Sequence, residues 1–444
     1  MNEMNNNLSN ESKNFLENFY LSVSNSRKKY LLENRNYINR NSNVNNNLND
    51  LNELNDINKV NNLKNIFLEN DNSFISNDIK DEIISSYNTC YRIESKNKNR
   101  NKNKNRNRNR NRNIDKINFI IYYFSNKSGN GNDNLENYEI ENIFWRIYFM
   151  LSLYPSRVEE EYGKNIIPTF YICPTNIKKK IKNDTVILGP ENVNSGLTYT
   201  NEAIVLVWRR EELYKVLIHE LIHLLHIDKA IYMTEELNNY VYNNFCISRT
   251  TDINTNEIYT ESLAMIFNCA LSVCENKNKM KMKMKTKTRT KNETKNETKN
   301  ETKIECKDNI SSKKYISIFF KNINKNRKYS LIQSAKILKF YNYKSIDEIF
   351  NNNKCKKNFK QNSNIFSYYI LKSALFYNMD FFISFLRKDT GKNKFINYNI
   401  KDIIEIINNS ITDEYKKEIY TIINKLDNRN QNLKMTAPIQ YVFI

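Results

Sequence analysis

Along residues 213–225 the apolar positions Leu213, Val216, Leu217, Leu221, Leu224 and Leu225 recur at helical spacing and leave little of the circumference polar. That pattern predicts a helix buried on most sides. Upstream, "INFIIYYF" (117–124), "TFYIC" (169–173), "GLTYT" (196–200) and "AIVLVW" (203–208) are short β-branched and aromatic runs. They read as strands, the last two joined by a turn at Asn201-Glu202. Between the first two runs, "NLENYEIENIFWRIYFMLSLYP" (134–155) places Ile140, Phe144, Ile147, Tyr148 and Leu151 on one helical face and stops at Pro155. Beyond residue 312, "SLIQSAKILKFYNY", "NIFSYYILKSALFYNMDFFISFL" and "IKDIIEIINNSITDEYKKEIYTIINKL" all carry helical periodicity. The order predicts an α+β fold: a small mixed sheet, a buried helix, then a mainly helical C-terminal half.

Charge divides the chain further. The net charge of +20 is concentrated in two tracts. Residues 96–113, "KNKNRNKNKNRNRNRNRN", carry nine bases and no acid; residues 277–303 carry eleven bases and the three acids Glu293, Glu297 and Glu301. A base alternating with Asn, Met or Thr buries no apolar face, so both tracts are expected as solvated, disordered insertions. Phosphate neutralisation there would give at most weak, non-specific contact with nucleic acid, since no aromatic residue interrupts either tract to stack on bases. Five regions are therefore expected: an Asn-rich lead over 1–95, partly helical or disordered; the basic insertion 96–113; an organised core over 114–275; a second insertion over 276–311; and a helical subdomain over 312–444.

Seven cysteines are scattered without a CxxC pair, the pattern expected of a reducing compartment. "MNEMNNNLSNESKN" has no apolar signal region, and no apolar run approaches the roughly 20 residues of a membrane span. An intracellular protein that is neither secreted nor inserted in a membrane is expected. The oligomeric state is not legible from the sequence.

The chain owns three histidines, His219, His223 and His226, all on the buried helix. His219-Glu220-Leu221-Ile222-His223 is an HExxH pattern. Residues i and i+4 of a helix share a face, so both imidazoles can reach one Zn²⁺ at about 2.0–2.1 Å. Glu220 sits about 100° around the helix, placed for water on the metal rather than the metal itself.

A catalytic zinc needs a third protein ligand. His226 is on nearly the same stripe, but about 10 Å further along the axis. Asp228, Glu235 and Glu236 would require a tight chain reversal. Glu261, 37 residues beyond His223 in "NEIYTESLAMIFN", begins a second stretch with a buried face. It is the preferred third ligand, with Glu257 one turn earlier as the fallback.

Residues 196–267 resemble a zincin metallopeptidase of the gluzincin type, in which HExxH on one helix is completed by a Glu on the next, after an edge strand that binds extended peptide. The metzincin pattern would require Gly at 226 and His at 229, where this chain has His226 and Lys229. A peptide deformylase would need a Cys ligand in a setting that Cys173 in "FYICPT" does not match. More loosely, residues 192–265 resemble uncharacterised metallopeptidase-like proteins of large double-stranded DNA viruses with AT-rich genomes, which implies expression in the cytoplasm of an infected cell or association with the virion.

By position, the resemblance implies His219, His223 and Glu261 as ligands of one zinc ion, and Glu220 as the general base toward a metal-activated water in peptide-bond hydrolysis. A peptide or protein would be the substrate, paired with "AIVLVW" or "GLTYT" as the edge strand. Tyr199, Tyr232, Tyr240 and Tyr259 compete as the oxyanion-stabilising donor. His226 and Asp228 are candidates for supporting the ligands, and Arg209 and Arg210 for reading substrate charge. A non-catalytic zinc-stapled structural or virion protein and a basic-tract nucleic-acid binder are the alternatives.

Overall fold

A computed structural model of the chain describes residues 8–33, 52–54, 57–68, 74–95, 117–126, 133–163, 165–182, 184–228, 235–248, 253–292, 308–350, 359–388, 400–426 and 432–437. The fold is α+β, with helices dominating the C-terminal half. Among the described residues six strands form one mixed sheet: β1 (Asn52–Leu54), β2 (Thr89–Glu94), β3 (Ile120–Ser125), β4 (Thr169–Thr175), β5 (Gly196–Tyr199) and β6 (Ile204–Arg209). Their order is β1-β2-β3-β4-β6-β5. The central strands β3, β4 and β6 are parallel, and both flanks are antiparallel, so β5 is an edge strand.

Both faces of the sheet are covered, which is why its strands read as nearly unbroken apolar runs. On β6, Val205 and Val207 enter the large core, whereas Leu206 and Trp208 enter a smaller one behind the sheet. The period-2 alternation of a strand divides them. Helices α2 (Ile57–Leu68) and α3 (Asn77–Ser86) cover the rear face through Val60, Phe67, Ile79 and Ile83. The Asn-rich lead expected over 1–95 is therefore not a separate unit. It supplies two strands and the rear layer, and its first helix, α1 (Asn10–Glu33), buries Leu16, Tyr20 and Val23 in the main core. Its short apolar sets are too small to form a core alone and are buried only against the sheet.

The front face carries α4 (Asp133–Leu153), followed by α5 (Arg157–Tyr162) and the short α6 (Pro190–Val193). The motif helix α7 (Leu213–Leu224) is sandwiched between β5, β6, α4 and a later helix that starts at Asn256. After α8 (Glu235–Asn244), α9 runs over Asn256–Asn292, into the tract expected as a disordered insertion over 276–311. Lys and Met are good helix formers, and the well-packed start of α9 provides the nucleus from which the helix extends. Residues 96–113 and the remainder of the second tract, 293–307, lie outside the described residues.

The helical half follows as α10 (Asp308–Phe340), α11 (Asp347–Phe350), α12 (Lys372–Tyr377), α13 (Met379–Lys388), α14 (Ile400–Ser410) and α15 (Asp413–Lys425). It shares one continuous apolar core with the sheet's front face. No helix among the described residues is long and apolar enough to cross a membrane. Cys90, Cys173, Cys269 and Cys274 are all buried.

Arg209, expected as a candidate reader of substrate charge, is wholly buried. Its guanidinium donates to the carbonyls of Asn194, Ile177 and Glu191 at 2.8, 3.1 and 2.7 Å, clamping the loop that leads into β5. Strand alternation turns this side chain inward; Arg210 is more open and pairs with Glu139 at 2.8 Å. Arg209→Met strands three buried acceptors, and a loss of about 3 kcal/mol or more is expected in urea denaturation.

Candidate metal centre

The motif helix is entered through the turn Arg210–Glu212 directly from β6. His219 and His223, one turn apart, direct their Nε2 atoms to the same point, 3.0 Å from each other. A carboxylate oxygen, Glu257 Oε2 on α9, lies 3.1 Å from His219 Nε2 and 3.5 Å from His223 Nε2. Tetrahedral bonds of about 2.0–2.1 Å put ligand atoms about 3.3 Å apart, so this triangle has the dimensions of a zinc donor set. Glu257 Oε2 is buried without a hydrogen bond, although it is close to both imidazoles. An orphaned carboxylate oxygen beside two inward nitrogens fits a divalent cation.

The outer nitrogens are each held by a carboxylate. His219 Nδ1 lies 2.9 Å from Glu261 Oε2, and His223 Nδ1 lies 2.6 Å from Asp228 Oδ2. A proton held on Nδ1 leaves the Nε2 lone pair facing inward, the tautomer that a metal requires. Asp228 is fixed in turn by Asn256 Nδ2 at 3.0 Å and Thr260 Oγ1 at 3.3 Å, both from α9.

The structure separates the roles of the two acids on α9. Glu261, the preferred third ligand in the sequence reading, does not reach the converging point. It accepts from Lys215 Nζ at 2.7 Å on both oxygens and turns Oε2 to the outer nitrogen of His219. Glu257, the fallback, takes the inner position; among the described residues, His219, His223 and Glu257 are those whose ligand atoms cluster. The cause is antiparallel helix register. Ascending α7 from Lys215 through His219 to His223 means descending α9 from Glu261 to Glu257. Each turn of about 5.4 Å shifts the partner by one acid.

His226 is not part of the cluster. It adopts a left-handed conformation, φ 48°, just past the helix end. The Ile227 N–H donates to Ile222 O and the His226 N–H to His223 O, at 3.0 and 2.9 Å, the pair of bonds that ends a helix in a Schellman turn. Tyr162 Oη sits 3.3 Å from its Nε2 and donates to Leu224 O, while Arg157 Nε donates to Leu225 O. The reversal at His226 is what returns Asp228 to His223. Glu236 is exposed on α8.

Glu220 faces the edge strand. Its Oε2 accepts from Thr198 Oγ1 at 2.7 Å, and a Cβ on Gly196 would stand 2.5 Å from its Oε1. Only glycine at 196 admits the carboxylate between strand and helix. Neither Gly196 nor Thr198 was singled out from the sequence, because alternation within so short a strand does not say what it faces.

Burial pushes the Glu220 carboxyl above its ordinary range, with His219, His223 and Thr198 pulling back. For Glu257, burial acts upward but is outweighed by the two imidazoles, which hold it down at about 2. The His223 imidazole stands well above its ordinary value; burial opposes this, and Glu257 and Asp228 outweigh it.

Among the tyrosines proposed from sequence, Tyr199 packs toward the rear core, Tyr240 contacts Asn408, Tyr259 stacks edge-on to Phe382, and Tyr232 lies outside the described residues. The phenol that stands at the cluster is Tyr368, its ring centroid 6.1 Å from that of His219. It projects from the π-helical turn Phe366–Leu371 that leads into α12, a distortion frequent at functional sites. Burial first, and then Glu257, Glu220 and Glu261, push its ionisation far up, so it stays a proton donor. No spacing signal links residue 368 to the motif.

No family model, curated protein or solved structure matches the chain. His226→Gly is expected to leave metal content unchanged and thermal stability within about 1 kcal/mol, since glycine relieves the left-handed strain as the ring contact is lost. Parallel metal analysis and melting of the variant check this.

Proposed function

We propose that the chain is a zinc-dependent hydrolase of peptide bonds, with His219, His223 and Glu257 holding the metal and Glu220 as general base. The observation that carries the reading is the inward triangle of two Nε2 atoms and one orphaned carboxylate oxygen, with each histidine's outer nitrogen held by a second carboxylate. Zinc in such a donor set supplies Lewis acidity toward a carbonyl and toward water.

The protein's own groups supply the rest. Glu220, anchored through Oε2 on Thr198, takes the proton from water and passes it to the leaving amine. Tyr368 directs its hydroxyl proton toward the oxygen that gains charge. The outer side of β5, an edge strand among the described residues, is the place for an extended peptide to add as a further strand. A peptide or protein is thus the substrate class.

The tight enclosure favours one rival, a closed structural staple: His219 and Glu257 are each only 6% exposed. Glu220→Gln separates the two. On labelled casein, hydrolysis is expected to fall at least about 100-fold with zinc content retained; unchanged hydrolysis would remove Glu220 from its role, and no hydrolysis by a zinc-loaded wild type would favour the staple.

Tyr368→Phe removes one donor and is expected to lower kcat about 100-fold or more with little change in zinc affinity. A comparable fall in zinc content instead would assign the phenol to holding His219.

A further inference from the structure

Three lysines are buried behind the cluster: Lys179, Lys215 and Lys372. Lys215 stands apart by its place in the chain of contacts. It lies one turn before His219 on α7, and its ammonium gives both Glu261 oxygens a hydrogen bond at 2.7 Å. Glu261 then gives Oε2 to His219 Nδ1 at 2.9 Å. Lys372 Nζ is 3.9 Å from the same carboxylate, too far for a hydrogen bond.

Burying an ammonium costs several kcal/mol unless it is paired and its position fixed. A strap formed by residues 432–437 meets that need. Glu212 Oε1, at the start of α7, accepts from Met435 N at 2.9 Å, Thr436 N at 2.8 Å and Thr436 Oγ1 at 3.0 Å. Glu212 Oε2 pairs with Lys179 Nζ at 2.7 Å, and the Lys179 carbonyl accepts from Leu433 N at 3.0 Å. Pinned in this way, the strap lays Met435 Sδ 3.9 Å from Lys215 Nζ.

We infer that Lys215 is a positioning residue for the metal centre: by holding both oxygens of Glu261 it keeps that carboxylate out of the donor set and on the outer nitrogen of His219. The inference rests on the metal reading above. A carboxylate gripped on both oxygens by one cation has a single orientation, and the two acids one turn apart on α9 become non-equivalent. Glu257, with no such partner, remains the ligand. Residues more than 200 positions away, at the strap, thereby fix an element of the motif helix.

The test is a double-mutant cycle on the full chain, with zinc affinity read by competition with a chromophoric chelator. Lys215→Met and Glu261→Gln are each expected to weaken zinc about 10–100-fold, the range for groups that orient metal ligands. The double variant is expected to be no weaker than Glu261→Gln alone, because Lys215 acts only through Glu261. Additive losses, or a Lys215→Met affinity within about twofold of wild type, would overturn the inference. If Lys215→Met fails to fold, having left a bare buried carboxylate, Lys215→Gln, which keeps one donor for Glu261, takes its place with the same two outcomes. Cobalt as the probe adds a signature that a purely structural lysine would not move: a visible spectrum altered in Lys215→Met, and the same in Glu261→Gln as in the double variant. A wild type that takes up no zinc would defeat the metal reading itself, before the variants are compared.

Discussion

The structure depends on one electrostatic constraint: a helix enclosed by apolar packing carries Lys215, His219, Glu220 and His223, and each must find a partner of its own inside the protein. The partners arrive from every element that encloses α7. The ladder Lys215–Glu261–His219–Glu257–His223 runs between two antiparallel helices, so that one packing contact aligns five polar groups. Asp228 returns through the turn at His226, and Thr198 comes from the edge strand.

This constraint explains the division of the fold. The sheet, covered on both faces, is a rigid floor whose last strands deliver Gly196, Thr198 and Arg209. The helical half supplies what the motif's own neighbourhood lacks: Tyr368, Lys372 and the strap. Because both halves close on one apolar core, the charged cluster sits where water is scarce and each interaction is strong.

Much of the organisation was legible in linear form. The HExxH spacing, the buried character of its helix, the hairpin at Asn201-Glu202 and the α+β order all rest on periods of 2 and 3.6 residues, which local sequence carries directly. The lead over 1–95 was harder to place. Its segments look marginal alone and are buried only against the rest of the fold, α1 in the main core and α2 and α3 behind the sheet. Arg209 shows the same limit, since its partners are carbonyls of separate loops.

By itself, then, the sequence determined the local chemistry: two histidines on one helical face, a glutamate beside them, and a pair of acids one turn apart on a later helix. Only the tertiary structure decided which acid faces inward. Glu257 and Glu261 are interchangeable in composition, spacing and burial. The antiparallel register of two packed helices, with Lys215 opposite one acid and the imidazoles opposite the other, breaks that symmetry. Register between elements is set by the packing of whole surfaces, and no local pattern encodes it.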